Sequence, residues 1–210
     1  TSFDIQQAAV IGAGTMGRGI VMCLANAGIA VQWVDNNPQM LEQALGTVAD
    51  TYAHSVRQGR IDQAEADARI GRVRAAADYA AIRNVDLVIE AVYENIELKQ
   101  KIFRELDSVL KPAALLASNT SALDIDAIAA VTKRPSQVLG LHFFSPAHIM
   151  KLLEIVRGAQ TSPAVLEAAL ALGKRMGKVS VVSGNCHGFI GNRMLHPYVL
   201  EARKMLLEGA

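Results

Sequence analysis

Short apolar runs alternate with amphipathic segments along most of this chain. The apolar runs predict strands at residues 8–12, 30–35, 73–76, 85–92, 113–121, 137–144, 151–156 and 178–183. Between them, apolar residues at helical spacing predict helices at 13–28, 41–56, 96–110, 125–131 and 162–177. Strands and helices that alternate in this way predict an α/β fold, in which a mostly parallel sheet has helices on both faces.

Two segments depart from this alternation. Residues 57–74 are polar, which indicates an exposed helical arm. From Phe189 onward, apolar residues fall on one face of a helix, which Pro197 should kink or whose straight part it should begin. Because a single amphipathic helix must bury its apolar stripe, we interpret it as the start of a second, all-α domain or as a dimer contact. The predicted boundary gives a sheet domain at 1–184 and an incomplete helical domain at 185–210.

Composition and charge narrow the classes of function. The 210 residues are 51% hydrophobic and carry a formal net charge of +1, with the basic residues scattered along the chain. We therefore expect a sizeable core and no nucleic-acid partner. Because no apolar run reaches the roughly 18 residues that a membrane span needs, we expect no membrane span.

The two cysteines indicate the compartment. Cys23 and Cys186 are far apart in the sequence, which favours neither a disulfide framework nor a metal site. A reducing compartment fits them, with the bacterial cytoplasm as the first expectation and the peroxisome as the second. The sequence starts at Thr1 and not at a methionine, so we expect it to be a piece of a longer polypeptide.

A glycine-rich loop follows the first predicted strand. Gly12, Gly14 and Gly17 form a G-x-G-x-x-G pattern that opens a helix, which is the context of a dinucleotide-binding fingerprint. Gly12 permits a tight turn, Gly14 lets the backbone approach a pyrophosphate, and Gly17 lets helix and strand pack closely. Thr15 and Met16 begin the helix, whose free N–H groups and positive dipole end would face the phosphates. The sheet domain is therefore predicted to be Rossmann-type.

Asp35 ends the second predicted strand and indicates which dinucleotide binds. Its carboxylate can accept hydrogen bonds from a ribose 2′-OH and would repel a 2′-phosphate. No arginine follows it, because the next two residues are Asn36 and Asn37. We therefore predict NAD as the cofactor.

Reactive side chains follow several of the later predicted strands. Ligands of open α/β sheets bind beyond the carboxyl ends of the strands, and His142 ends one of these strands. Glu154 lies on the next strand in otherwise apolar surroundings. A carboxylate buried there needs a partner, and a nearby imidazole is the simplest one.

Several motifs, in order along essentially the whole chain, resemble one family. They are "VIGAGTMGRGI", "EAVYENIELK", "SNTSALDI", "GLHFFSPAHIMKLLEI" and "GNCHGFIGNRMLHPY". The chain resembles the L-3-hydroxyacyl-CoA dehydrogenase family, and most of all the dehydrogenase part of the multifunctional fatty-acid β-oxidation enzymes. Those enzymes also carry an enoyl-CoA hydratase part. The monofunctional type often has asparagine where this chain has Ser145.

The resemblance implies an active site. It makes His142 the general base and Glu154 its partner, and it makes Ser121 and Asn192 the residues that hold the substrate oxygen, with Ser121 also touching the cofactor. Each assignment has a structural alternative, since Ser121 could simply cap the following helix, and Asn192 could cap a helix or pack in a turn.

The resemblance also implies further contacts with cofactor and substrate. Glu94, Lys99 and Ser145 become contacts to the cofactor, although Glu94 could instead pair with Lys99 or with another basic side chain on the surface. Arg57 and Arg60, in the polar arm, become contacts to the phosphates of CoA. An acyl-CoA substrate, a homodimer through the helical domain and an attached hydratase part are implied in the same way.

The expected activity is NAD-dependent oxidation of L-3-hydroxyacyl-CoA to 3-ketoacyl-CoA. Two alternatives remain open at this point. The chain could be a β-hydroxyacid dehydrogenase that acts on a substrate without CoA. It could also be a truncated module that binds NAD or CoA with little activity, because most of the helical domain is missing from the sequence.

Overall fold

A computed structural model describes residues 3–209 of the chain. Its eight strands within that range are β1 (Gln7–Ile11), β2 (Ala30–Val34), β3 (Val73–Ala75), β4 (Leu87–Glu90), β5 (Leu115–Ser118), β6 (Val138–Phe143), β7 (Leu152–Arg157) and β8 (Val179–Gly184). Its α-helices there are α1 (Thr15–Asn26), α2 (Pro38–Arg57), α3 (Gln63–Gly71), α4 (Ile96–Val109), α5 (Ile125–Ala129), α6 (Pro163–Arg175) and α7 (Gly191–Leu207).

The strands form one sheet in the order β3-β2-β1-β4-β5-β6-β7-β8. All neighbouring strands are parallel except β6 and β7, which are antiparallel. Segment 144–151 between those two is too short for the crossover that parallel neighbours require. Strands β2 and β3 lie on one side of β1, and β4 and β5 lie on the other. Ligands of open α/β sheets bind at such a point, where the strand order changes side. The predicted Rossmann-type, mostly parallel sheet is confirmed.

Alternating strand residues bury two separate cores, one on each face of the sheet. On β1, Ala8 and Val10 belong to a cluster that also contains residues of α1, α2 and α6. Ala9 and Ile11 belong to a second cluster, with residues of α4 and α5. Because successive side chains of a strand point to opposite faces, helices cover both faces of the sheet, as predicted.

The polar segment after α2 is helical, as expected. Helix α3 begins after Asp62, whose carboxylate accepts a hydrogen bond from the N–H of Glu65, and it buries only Ala66. Arg69 of the arm and Tyr52 of α2 both donate to the side-chain oxygen of Asn26. These hydrogen bonds hold the arm and α2 to α1.

Helix α7 differs from the other long helices because none of its residues is buried. It runs through Pro197 without a break, and it exposes its apolar residues Met194, Leu195, Tyr198, Leu200, Met205, Leu206 and Leu207. The neighbouring strand β8 exposes three valines as well. The boundary after Gly184 coincides with the end of β8, and the helical domain beyond it stays a prediction. Within residues 3–209, no helix combines the length and apolar character needed to span a membrane.

A buried ion pair joins α4 to the centre of the sheet. The Nζ atom of Lys99 lies 2.7 Å from Oε1 of Glu90, and both side chains are almost completely shielded from water. Ser118 donates to the other carboxylate oxygen of Glu90, and the N–H of Val92 donates to Oε1, each at 2.7 Å. The carboxylate is thus neutralised and hydrogen-bonded on both oxygens, which is the condition for stable burial of a charge.

We expect Lys99→Met to destabilise the protein by about 3–5 kcal/mol, because it leaves the carboxylate of Glu90 buried without its counter-charge. Urea denaturation monitored by circular dichroism measures the change. Lys204→Met is the control, since Lys204 pairs with Glu201 on the exposed surface of α7 and exposed pairs contribute little. Equal stabilities for the two variants would contradict the role of the Glu90 pair.

Candidate active site

The glycine-rich loop between β1 and α1 needs two of its glycines for packing. Gly12 has a φ of +107°, and a Cβ atom there would lie 2.6 Å from the carbonyl oxygen of Ala91. A Cβ atom on Gly17 would lie 2.0 Å from the carbonyl oxygen of Gly12. The indole N–H of Trp33 donates to that same oxygen at 2.9 Å. The loop is therefore held in one shape by contacts that only glycine allows.

Gly14 is different, because it faces open space. A Cβ atom on Gly14 would have no neighbour within 4 Å, and Gly14 provides no side-chain cap for the N-terminus of α1. The first turn, which starts at Thr15 and Met16, carries no acidic residue. Free N–H groups and a positive helix end at an open surface form an anion site. These residues fit the pyrophosphate of a dinucleotide.

Asp35 follows β2 and lies against the same loop. One carboxylate oxygen accepts from the N–H of Ala13 at 2.7 Å, and the other accepts from the N–H of Asn37 at 2.8 Å. The side chain is only half-buried, and each oxygen has a further lone pair for a ribose hydroxyl. Asp35 therefore also fixes the loop, a role that the sequence pattern did not indicate.

His142 and Glu154 are directly opposite each other on β6 and β7. Residues paired in this way on antiparallel strands point to the same face. The Nδ1 atom of the imidazole lies 3.0 Å from Oε2 of Glu154, and the two residues are 5% and 1% exposed. This hydrogen bond occupies Nδ1, so Nε2 is the nitrogen left to a ligand.

Two aromatic rings pack beside the imidazole of this pair, and one backbone N–H contacts its carboxylate. The ring of Phe144 lies 4.5 Å from the imidazole between centroids, and that of Phe189 lies 5.7 Å away. The second oxygen of Glu154 accepts a hydrogen bond from the N–H of Gly191 at 2.6 Å. The carboxylate therefore has a partner on each oxygen, although it is cut off from water.

A second carboxylate, Glu94, organises the loop after β5. Its oxygens accept from the hydroxyl of Thr120 at 2.7 Å, from the N–H of Ser121 at 2.9 Å and from the hydroxyl of Ser121 at 3.0 Å. Partial burial would raise the pKa of Glu94, but the hydrogen bonds from Ser121 and Thr120 and the charge of Lys99 outweigh it and lower the pKa below its ordinary value. Glu94 is therefore ionised at neutral pH.

A cleft of about 290 Å³ joins these parts. It lies between the glycine-rich loop and the ends of β4, β5 and β6. It brings together six residues that the sequence predicts for the site: Met16, Glu94, Lys99, Ser121, His142 and Ser145. Its remaining lining residues are Ala91, Val92, Asn119, Phe143 and Phe144.

Nine other predicted residues do not line this cleft: Gly12, Gly14, Thr15, Gly17, Asp35 and Glu154, which are described above, and Asn192, Arg57 and Arg60. Asn192 is the second residue of α7 and lies beside Gly191. Arg57 is exposed at the end of α2. Arg60 lines a separate cleft of about 480 Å³, formed by α1, α2, the helical arm and segment 144–151.

Sequence reasoning missed residues that act inside this region. Glu90 is fully buried at the end of β4 and holds Lys99, which was predicted as a cofactor contact. Asn119 accepts a hydrogen bond from the N–H of Phe143 at 2.9 Å, which ties the β5 loop to the strand of His142. An acid within the apolar run "VDLVIEAV" was the available signal for Glu90. Within residues 3–209, no group of three or more His, Cys, Asp or Glu side chains could hold a metal ion.

Comparison with known proteins gives consistent matches. Residues 7–186 match the family model described as "3-hydroxyacyl-CoA dehydrogenase, NAD binding domain". The peroxisomal bifunctional enzyme of Danio rerio is 50% identical over 207 residues, which are 99% of this chain and 28% of that protein. The peroxisomal fatty acid beta-oxidation multifunctional protein MFP2 of Arabidopsis thaliana is 42% identical over 206 residues, 98% of this chain and 28% of that protein. The chain thus spans just over a quarter of the length of these curated relatives.

Solved structures agree with this match. The 3-hydroxybutyryl-CoA dehydrogenase of Escherichia coli is 38% identical with a TM-score of 0.96, and the match covers 98% of this chain and 43% of that one. The (S)-3-hydroxybutyryl-CoA dehydrogenase PaaH1 of Ralstonia eutropha is 36% identical with a TM-score of 0.95, and the match covers 98% of this chain and 73% of that one.

Two glycine variants separate cofactor binding from packing. We expect Gly14→Ala to leave the melting temperature nearly unchanged and to weaken NADH binding, because its Cβ atom meets no protein atom and stands where the pyrophosphate would approach. Gly17→Ala should lower the melting temperature, because its Cβ atom would overlap the carbonyl oxygen of Gly12. NADH fluorescence titration and thermal unfolding measure the two effects. Normal NADH affinity in a folded Gly14→Ala variant would contradict this placement of the phosphates.

Proposed function

The chain belongs to the 3-hydroxyacyl-CoA dehydrogenase family, and from this membership we propose that it carries the NAD site and the proton acceptor for oxidation of L-3-hydroxyacyl-CoA to 3-ketoacyl-CoA. One observation supports this activity most strongly. The cleft beside the NAD fingerprint contains an imidazole whose Nδ1 is engaged by a buried carboxylate. Oxidation of a secondary alcohol requires such an acceptor for the hydroxyl proton.

In the proposed reaction, His142 takes the hydroxyl proton of the substrate on Nε2. Glu154 keeps the other ring proton on Nδ1 and stabilises the imidazolium that forms. When bound, NAD supplies the hydride acceptor. A positioned general base of this kind contributes about 10²- to 10⁴-fold to the rate. The buried setting strengthens the pair, because little water competes for either partner.

Ser121 and Asn192 are the proposed donors to the substrate oxygen. The hydroxyl of Ser121 donates to Glu94 in this structure, so it would have to rotate toward the substrate to assist. Glu94, ionised and fixed by the β5 loop, then remains available to ribose hydroxyl groups, and Lys99 acts on the cofactor through Glu94, whose carboxylate is 3.8 Å from Nζ. Ser145, at the mouth of the cleft, is the proposed contact to the nicotinamide end.

The CoA part of the substrate is proposed to lie along the helical arm. Arg57 and Arg60 would meet its phosphates there. Support comes from the second cleft, which Arg60 lines together with Arg69. The same cleft contacts His148 and Ile149, which belong to the segment that also carries Ser145. A CoA chain could therefore pass from the arm to His142 along one continuous segment.

A longer polypeptide and a second domain are part of this proposal. We propose that residues 1–184 are the NAD-binding domain and that 185–210 begin an all-α domain, which covers the exposed face of α7 and forms a homodimer. The names of the bifunctional relatives support an enoyl-CoA hydratase part on the same polypeptide. The compartment that these names support is the peroxisome, and the bacterial cytoplasm is the other one that two free cysteines fit.

Substitution of the imidazole tests the proposed chemistry in the full natural polypeptide. We expect His142→Gln to lower kcat for reduction of acetoacetyl-CoA by NADH by about 10²- to 10⁴-fold, because it removes the proton-transfer group. The affinity for NADH should stay near that of the parent protein. Lys101→Gln on the exposed face of α4 is the control and should retain full activity. Near-normal turnover of His142→Gln would refute the assignment.

A second variant tests whether the substrate carries CoA. We expect Arg60→Ala to raise KM for acetoacetyl-CoA by up to about 5-fold, since an exposed ion pair contributes up to about 1 kcal/mol, and to leave the KM for NADH unchanged. Arg104→Ala, on the exposed face of α4, serves as the control. Free acetoacetate as a better substrate than acetoacetyl-CoA would favour the alternative of a β-hydroxyacid dehydrogenase. NADH binding without turnover of either compound would favour a binding module.

A further inference from the structure

The carboxylate of Glu154 is shared between two elements that are far apart in the sequence. Its Oε2 atom faces the imidazole of His142 on β6, and its Oε1 atom accepts the N–H of Gly191 at 2.6 Å. Gly191 is the first residue of α7. The N–H groups of a first helical turn have no acceptor within their own helix, so this one is free to bind the carboxylate.

The segment between β8 and α7 is built to bring that N–H to Glu154. Gly188 and Phe189 both have positive φ values, +73° and +49°. A positive φ is rare for a phenylalanine and needs support from its surroundings. The support here is burial, because the ring of Phe189 is 2% exposed and packs beside His142. The turn closes with a hydrogen bond from the N–H of Arg193 to the carbonyl of Gly188.

The other end of the segment is anchored by Asn185. Its side-chain oxygen accepts from the N–H of Ile125 at 3.0 Å, and its amide nitrogen donates to Asp124 at 2.6 Å and to Asp126 at 2.8 Å. These contacts fix the start of the segment to the beginning of α5. The segment is thus fixed at Asn185 and at Gly191, with Phe189 packed between.

We infer that the main-chain N–H of Gly191 is a positioning group for the His142–Glu154 pair, and that segment 185–191 links the placement of α7 to proton transfer. The inference rests on the function proposed above. A carboxylate held on one oxygen only can turn about its Cγ–Cδ bond, and then the imidazole loses its fixed direction. The hydrogen bond from the N–H of Gly191 and the positive end of α7 hold the carboxylate of Glu154 in the plane that faces Nδ1 of His142.

Replacement of Gly191 by proline removes the N–H. Because proline disfavours the α-region backbone that Ile190 adopts (φ −108°, ψ −60°), thermal unfolding of the variant is measured beside its activity. Gly191→Ala is the matched control, since it keeps the N–H and adds the same Cβ atom 3.1 Å from Oε1 of Glu154. In the full natural polypeptide, we expect Gly191→Pro to lower kcat for acetoacetyl-CoA reduction by roughly 10- to 100-fold. Gly191→Ala should stay within about 3-fold of the parent, because its N–H remains.

The deuterium isotope effect on kcat separates positioning from damage to the fold. With NADH deuterated on the transferred hydrogen, Gly191→Pro should show a larger isotope effect than the parent, because in this direction His142 donates the proton and a misplaced donor makes the chemical step slower. Partial unfolding would only lower the active fraction and leave the isotope effect unchanged. The NADH affinity of Gly191→Pro should also be unchanged, since the glycine-rich loop and Asp35 do not contact Gly191.

Asn185→Ala provides a second variant that keeps the N–H of Gly191 and releases the far anchor. We expect a smaller loss of kcat and a correspondingly smaller rise in the isotope effect. The inference is overturned if both Gly191→Pro and Asn185→Ala keep the parent isotope effect, or if Gly191→Ala loses as much activity as Gly191→Pro. Those outcomes leave the proposed function intact provided that His142→Gln remains inactive, whereas an active His142→Gln variant would remove the basis of both.

Discussion

The ligand-binding edge of the sheet holds two carboxylates that have almost no contact with water, Glu90 and Glu154. A buried carboxylate is tolerated when opposite charges and hydrogen-bond donors replace the lost water. At Glu90 the partners are Lys99 on α4, Ser118 on β5 and the backbone just after β4. At Glu154 they are His142 on β6 and the first N–H of α7. Each carboxylate therefore joins several elements at the place where the proposed reaction occurs.

Two further carboxylates organise the loops around that edge and are closer to solvent. Asp35 accepts the N–H of Ala13 and so holds the glycine-rich loop. Glu94 accepts the N–H and hydroxyl of Ser121 and so holds the loop after β5. Because the pKa of Glu94 is lowered, this second anchor is charged at neutral pH. The chain's own side chains thus hold these loops in place. A ligand therefore loses little binding free energy to ordering the loops.

The sequence predicts the parts of the site that depend on local spacing along the chain. It misses the parts that depend on how elements distant in the sequence pack together. His142 and Glu154 could be paired because a short connection makes their strands neighbours. Strand and helix positions followed from periodicity, and the sheet was predicted correctly for the same reason. The Glu90–Lys99 pair depends on how α4 packs on the sheet, so the sequence indicates Lys99 only as a cofactor contact or as a partner of Glu94. The hydrogen bond from Gly191 depends on a positive φ at Phe189, which residue type does not indicate.

Helix α7 has two opposite environments, and this contrast explains its place in the proposed mechanism. Its first N–H is bound to the buried carboxylate of Glu154, whereas none of its residues is buried by the rest of the described chain. The attachment at its N-terminus therefore fixes one end of the helix, and the proposed all-α domain would cover the apolar residues along the rest of it. Any shift of that domain would move α7, and segment 185–191 would transmit the movement to Glu154. The proton acceptor would then reach full order only when the far side of α7 is covered, which ties the proposed chemistry to assembly of the second domain.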